Sequence, residues 1–422
     1  MTISKKYYAV LVALFTLLIL TPVGLSALSS FGITLPSALK SDEATLLDGA
    51  YSNPSIKKSF NLEGIASGEF QNAVETRIKN ELPFRAQMLL GNAAAQRSLI
   101  KASNALFGFE AVPTFYGSKY VEVEDTKTIV PNAYVESDAL AKSLETFADQ
   151  LDTVAAAHPE TKFVLVLNED AWTTQANPTH SLISNTLTPE FVQAHLNDNL
   201  SSDITVITPH SYTDITEYNK YYMPTDHHWN VEGVRKTYEA LAKDLGLTSL
   251  ADAPTKELDA ALTCGQEGRL GLDPAFPFAL QDFDINTSSI TYEVHNKEIT
   301  PGNQDEYKTG QISDPLRAYY NGYHYYFGGN EALEILRNSA LDDESKRIVF
   351  VSDSYGVALM TYLAMNYSDT YKTDPFNNGV TFTLPSLLDD THANTVVIMT
   401  TARGISTLEN KNPNFIDGAS DN

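Results

Sequence analysis

The sequence predicts an α/β fold, a mostly parallel sheet with helices on both faces. Three observations carry this expectation. Short continuous apolar runs recur, as in "KFVLVLNED", "RIVFVSDSYGVALM" and "ANTVVIMTT". They do not alternate with polar residues, so as strands they are buried on both sides. Stretches with apolar residues at helical spacing separate them, as in "DALAKSLETFADQLDTVAAA", and that order is the pattern of crossover-connected strands.

The elements follow in chain order. The opening "MTISKKYYAVLVALFTLLILTPVGLSALSS" places Lys5 and Lys6 before an apolar run from Tyr7 to Leu20, then Thr21-Pro22 and small residues. This is the layout of a secretory signal. With Val23 to Leu28 included it approaches the length of a membrane anchor, so residues 1–28 are expected to be one or the other. Positive charge stays inside, which puts the rest of the chain outside the cytoplasm. Residues 29–59 read as a connector. Residues 60–111 contain the helical stretch "FQNAVETRIKNELPFRAQMLLGNAAAQRSLIKASNALFG", interrupted near Leu82-Pro83 because proline ends a helix at the preceding residue.

From about 112 to 422 the α/β pattern holds. "PEFVQAHLNDNL" is helical and "DITVITP" a strand. "NVEGVRKTYEALAKDLG" puts Val234, Tyr238, Leu241, Ala242 and Leu245 on one helix face, with Asn230 as N-cap and Gly246 as stop. Thr263 to Tyr320 breaks the rhythm. It is rich in Gly, Pro, Asp and Asn, with period-two character at "SSITYEVHNKEI", and reads as a β-containing insertion or lid.

Bulk properties narrow the partners. A net charge of −24 cannot neutralise a phosphate backbone, which excludes nucleic acid, and it disfavours docking on an anionic membrane surface. The single cysteine, Cys264, excludes an intrachain disulfide framework and a Cys-rich zinc site.

The chemistry concentrates in two stretches. "MPTDHHWN" sets Asp226, His227, His228 and Trp229 side by side before a helix. Three readings fit: a metal site, a catalytic acid/base pair, or a polar loop capping the helix. A metal needs at least a third protein ligand. His180, His210, His324 and His392 exist, but none stands at a recognisable metal spacing. "VFVSDSYGVALM" places Ser352, Asp353 and Ser354 at the carboxyl end of a strand, with a helix beginning near Tyr355. Open α/β sheets bind ligands at that edge, and a helix N-terminus favours developing negative charge. Ser and Asp are also ordinary N-cap residues. A serine needs a base, and an imidazole needs a carboxylate to fix its tautomer. Asp226 and His228 supply that pair two residues apart. His227 is expected to be structural, and Trp229 to pack the loop.

"TDHHWN", "YYFGGNEALEIL" and "VFVSDSYGVALM", with "ELPFRAQM" earlier, resemble the DHHW branch of the SGNH hydrolase-like family, related to the AlgJ and AlgX proteins of alginate O-acetylation. The resemblance spans roughly residues 75 to 405. It implies a flavodoxin-like α/β/α sandwich with a Ser-His-Asp triad: Ser354 as nucleophile, His228 as base and Asp226 as orienting carboxylate. The chain order Asp, His, Ser reverses that of ordinary SGNH esterases and is similar to the permuted order of the alginate proteins. The G-x-S-x-G pattern is absent. Gly328, Gly329 and Asn330 resemble the family's oxyanion-hole residues. The other reading is a turn in which Asn330 caps a helix from Glu331 to Asn338. Tyr355 and Arg403 are further candidates for substrate contact. The chain departs from the family at "VLNEDAWTTQ", where relatives carry a lysine, at "TDPFNN", which lacks an arginine, and at Ser352 in place of a glycine.

The expected function is therefore extracytoplasmic O-acyl transfer or acetyl ester hydrolysis on a cell-surface or secreted polysaccharide. It needs no diffusible cofactor and no metal, and the resemblance implies a membrane-bound partner that delivers the acetyl donor. The alternative is a non-catalytic carbohydrate-binding or assembly protein, with tyrosines of "YNKYYM" and "YYNGYHYYF" stacking on sugar rings.

Overall fold

The computed structural model describes residues 5–30, 56–81, 85–107, 114–116, 120–123, 126, 128–201, 203–262, 278–295, 308–311, 332–341, 346–376 and 379–418. The chain divides into two units: 1–108 with 263–277, and 109–262 with 278–422.

The described part of the first unit is helical: α1 (Lys5–Ser30), α2 (Ile56–Ser59), α3 (Leu62–Ser67), α4 (Glu69–Glu81) and α5 (Arg85–Phe107). The Asn61 side chain accepts the Gly64 N–H to start α3, and Gly68, at φ 83°, stops it in the left-handed region where a side chain is disfavoured. The apolar N-terminal run lies in α1. Among the described residues no helix is long and apolar enough to cross a membrane.

The second unit begins with a small antiparallel sheet, β1 (Thr114–Tyr116), β2 (Tyr120–Val123) and β3 (Thr128–Pro131). Then come α6 (Asp138–Ala157), β4 (Lys162–Leu167), α7 (Pro189–His195), β5 (Ile204–Ile207), α8 (Ile215–Tyr218) and α9 (Val231–Leu245). Next are β6 (Thr255–Leu262), β7 (Phe278–Phe283), β8 (Ile290–His295), β9 (Lys308–Gln311), β10 (Leu333–Asn338) and β11 (Arg347–Ser352). The chain closes with α10 (Met360–Leu363), β12 (Asp369–Thr373), α11 (Leu384–Thr391), β13 (Thr395–Thr400) and α12 (Ala402–Lys411).

The central sheet runs β5-β4-β13-β11-β12-β10-β8-β9. Its first five strands are parallel, and β10, β8 and β9 continue it antiparallel. The apolar runs have the predicted reason. Val164, Val166, Phe350 and Met399 face one core with Val234, Tyr238 and Leu241 of α9. Phe163, Leu165, Val351 and Ile398 face the other with residues of α6, α11 and α12. Burying alternate residues of the same strand on opposite faces requires apolar residues throughout.

α9 begins and ends as its sequence predicts. The Asn230 side chain accepts N–H groups of Glu232 and Gly233, and Gly246 closes the helix at φ 67°. A Cβ at Gly233 would lie 2.4 Å from the Tyr221 carbonyl oxygen, so only glycine lets the helix start this close to the preceding loop.

Two readings change. Leu333–Asn338 is a strand, not the helix that Asn330 was to cap. Its Leu, Glu and Arg residues favour a helix in isolation, but pairing with β12 and β8 on both edges overrides that preference. Glu334 is opposite Lys372 in this register, and the two form a fully buried ion pair at 2.9 Å. Within the 263–320 interval, β8 and β9 are strands of the central sheet itself.

Candidate active site

Tyr221 to Asn230 form a tight hairpin. Tyr222 and Trp229 bridge across it, the Met223 N–H donates to the His228 carbonyl at 3.0 Å, and the Asn230 N–H to the Tyr221 carbonyl at 2.9 Å. Asp226 lies in the turn. Its Oδ1 accepts the His228 N–H at 2.9 Å and His228 Nδ1–H at 2.6 Å. Trp229 is fully buried, with its ring edge-on to Tyr355 at 5.3 Å, so it packs the loop as expected.

The second component is the turn after β11. Asp353 caps it by accepting the Tyr355 N–H at 3.0 Å, and residues Ser354–Ala358 form a tight 3₁₀ turn before the single turn of α10. Gly356 is required there, because a Cβ would overlap the Ser352 hydroxyl at 1.7 Å. This turn presents Ser354 Oγ to the hairpin, where it donates to His228 Nε2 at 2.8 Å. The carboxylate accepts at Nδ1, so the imidazole is the tautomer whose Nε2 accepts the serine proton.

Electrostatics reinforce the arrangement. Burial alone would raise the Asp226 pKa. The His228 charge and hydrogen bonds, with His227, outweigh burial and hold it well below the usual carboxylate range. Asp353 goes the other way. Burial first, then neighbouring Asp374 and Asp170, push it up to about 7 against the Tyr355 N–H and Arg403. Glu169 also rises to about 7, chiefly through burial.

The remaining candidates sort as follows. Tyr355 is 2% exposed and donates its phenol to the His227 carbonyl at 2.5 Å, so it lies beneath the hairpin, not on a substrate-facing surface. Arg403 pairs with buried Asp170 at 3.2 Å, its guanidinium 4.1 Å from the Trp172 ring centroid. Burial would lower its pKa, but Asp170 holds it above the ordinary value. Arg403, a candidate for substrate contact in the sequence, is thus a stacked arginine paired with Asp170. Gly328, Gly329 and Asn330 lie outside the described residues, as do Cys264 and His324. Tyr218 and Tyr222 of "YNKYYM" are buried and stacked on each other at 4.2 Å, which excludes them as a sugar platform. "YYNGYHYYF" also lies outside the described residues.

His227 lies with its ring 4.1 Å from that of His228 and edge-on to Trp172 at 5.1 Å. Asp226, His227 and His228 bring potential ligand atoms within 4.8 Å of one another. Both nitrogens of His228 already serve Asp226 and Ser354. That leaves two donors of the set, fewer than the three protein ligands of a catalytic zinc site. His180 bonds Thr186 and the Thr174 carbonyl, and His210 bonds Tyr212 and Thr237. His392 closes α11 in the left-handed region. Sequence reading missed Trp172 and the Asp170–Arg403 pair, because no local pattern links positions 233 residues apart.

No family model matches the sequence, and no curated protein matches it. Solved structures do share the fold. A DHHW family protein from Eubacterium siraeum superposes with a TM-score of 0.51 at 11% identity, covering 70% of this chain and 96% of that one. PatB1 of Bacillus cereus, in a structure with a sulfonyl adduct, gives 0.52 at 14% identity, covering 68% and 94%. A second PatB1 structure gives 0.51 at 16%, covering 66% and 95%. At these identities the likeness is one of fold.

Proposed function

We propose that the chain is an extracytoplasmic serine O-acetyltransferase or acetylesterase acting on a cell-surface or secreted polysaccharide, with an SGNH-like fold and a permuted Asp-His-Ser order. The observation that carries the reading is the continuous hydrogen-bonded chain from Asp226 through His228 to Ser354 at the carboxyl edge of the sheet. The likeness to the DHHW pattern in "TDHHWN" and "VFVSDSYGVALM" supports the acetyl and polysaccharide assignment.

In this mechanism His228 Nε2 takes the Ser354 proton as Oγ attacks the acetyl carbonyl carbon. The Asp226 carboxylate stabilises the imidazolium that forms. Negative charge develops on the former carbonyl oxygen, and the Ser354 N–H, with Gly328, Gly329 and Asn330, is assigned to it. Collapse expels the donor alkoxide, which takes the proton from His228 and leaves an acetyl-serine. A sugar hydroxyl or water then gives its proton to His228, attacks the ester and regenerates Ser354. No diffusible cofactor is needed, and the donor is assigned to a membrane-bound partner. Helix α1 is assigned to export.

The test is turnover of a chromogenic acetyl ester by the purified full chain. Hydrolysis that disappears in Ser354→Ala supports the assignment. Turnover equal in both proteins refutes it. Glycan binding without any turnover, retained in Ser354→Ala, favours the non-catalytic alternative.

A further inference from the structure

We infer that Tyr355 is a positioning residue of this site: its phenol fixes the peptide between His227 and His228 and thereby aims the imidazole at Ser354. The inference rests on the reading of Ser354 and His228 as nucleophile and base. It goes beyond that reading in assigning the alignment to a residue that touches neither the substrate nor the reacting atoms.

The geometry is specific. The His227 carbonyl and the His228 N–H belong to one planar peptide. Asp226 Oδ1 holds the N–H end at 2.9 Å, and the Tyr355 Oη–H holds the carbonyl end at 2.5 Å. With both ends fixed, the peptide plane cannot turn about its flanking bonds, and the Cα–Cβ direction of His228 is set. The imidazole is then fixed by Asp226 at Nδ1, and its other nitrogen meets Ser354 Oγ.

The anchor also starts from the right place. Tyr355 follows the nucleophile directly, and its own N–H is held by Asp353 at 3.0 Å. The residue that defines the serine turn therefore reaches across 128 positions of sequence to the base loop. Its ring lies 5.2 Å from that of His228 and edge-on to Trp229 at 5.3 Å. Buried in this way, the phenol keeps its proton at every working pH, because burial raises its pKa well above the ordinary value. It is a permanent donor.

Phenylalanine at this position keeps the ring packing and removes only the donor. The probe is phenylmethylsulfonyl fluoride, which reports serine nucleophilicity without any assumption about the natural donor or acceptor. Labelling of the full-length wild type, Ser354→Ala and Tyr355→Phe is followed by intact mass, and thermal unfolding is measured in parallel. The wild type is expected to gain one sulfonyl group, and Ser354→Ala none. Tyr355→Phe should reach the same final extent about ten- to a hundredfold more slowly, as expected for a small misplacement of a catalytic group. A merely structural role would lower the unfolding midpoint and the labelled fraction without slowing the folded molecules, and that result overturns the inference. So does a Tyr355→Phe rate equal to the wild type's. A wild type that takes no label at Ser354 removes the nucleophile reading and the inference with it. If Tyr355→Phe does not fold, a crystal structure of the wild type decides: a phenol on the His227 carbonyl upholds the assignment, and a phenol turned away from it overturns the assignment.

Discussion

Replacing Asp226 by asparagine isolates charge from shape. Asn Oδ1 can still accept the His228 N–H, so the hairpin keeps one of its two local bonds. What disappears is the carboxylate that lies 2.6 Å from Nδ1 and is 4% exposed. Unit charges about 3 Å apart attract by about 5–6 kcal/mol at an effective dielectric constant of about 20. That attraction exists only once the imidazole has taken the serine proton, so it acts on the transition state and not on the resting enzyme. At about 1.4 kcal/mol per decade the ceiling is about 10⁴ in rate. The amide can also present N–H to Nδ1, which places the imidazole proton on Nε2, where it cannot accept from Ser354. Hydrolysis of a chromogenic acetyl ester by Asp226→Asn should fall about 10³- to 10⁴-fold in kcat, with KM little changed. A loss smaller than tenfold, with the fold intact by circular dichroism, would refute the claim that this carboxylate supports the base.

Breaking the buried Lys372–Glu334 pair with Lys372→Met should destabilise the protein by about 3–5 kcal/mol. Lys372→Met combined with Glu334→Leu should recover most of that loss in denaturant titrations. The Glu169 carboxyl is raised to about 7 by burial, so the folded state holds a proton that the unfolded chain releases near pH 4, and its contribution to stability is lost as pH rises from about 4 to about 7. Glu169→Gln, which keeps an acceptor for the Tyr212 N–H, should therefore leave stability unchanged at pH 4 and raise it at pH 8 by about 1–3 kcal/mol; a gain equal at both pH values would contradict the assignment. Gly356→Ala should abolish esterase activity and lower the unfolding midpoint, because its Cβ would overlap the Ser352 hydroxyl. Asn230→Ala should cost about 1 kcal/mol through loss of the α9 cap.

What could be read from sequence is what is local. The α9 boundaries follow from Asn230 and Gly246 because a cap and a left-handed stop act within one turn of chain. The strands β4, β11 and β13 follow from unbroken apolar runs, since burial on both faces leaves no polar position. The Asp226–His228 half of the site is legible for the same reason, being two residues of one turn. Leu333–Asn338 was not legible, because a helix-favouring hexamer becomes a strand only through partners 32 to 48 residues away on either side. Arg403 on Trp172 and Asp170, and Tyr355 on the His227 carbonyl, join distant segments whose meeting depends on strand order. The sheet-edge rule and the family resemblance put Ser354 near His228; neither specifies what holds them.

The two halves of the site differ in what keeps them rigid, and that difference locates its sensitivity. Asp226 and His228 are fixed by their own hairpin, which the Tyr222–Trp229 bridge closes and α9 continues. Ser354 is fixed by β11, a strand paired on both sides in the middle of the parallel sheet. Each half is stiff, and the 2.8 Å contact between them spans 126 positions. Their alignment therefore depends on the layer between, where α9 residues Val234, Tyr238 and Leu241 pack with Phe350 and Met399 of the sheet. Closely packed interiors transmit displacement instead of absorbing it. A cavity beneath α9 should consequently shift the imidazole against the hydroxyl without touching either, whereas a cavity of the same size on the opposite face, among α6 and α12, should cost stability and leave the serine–histidine distance unchanged.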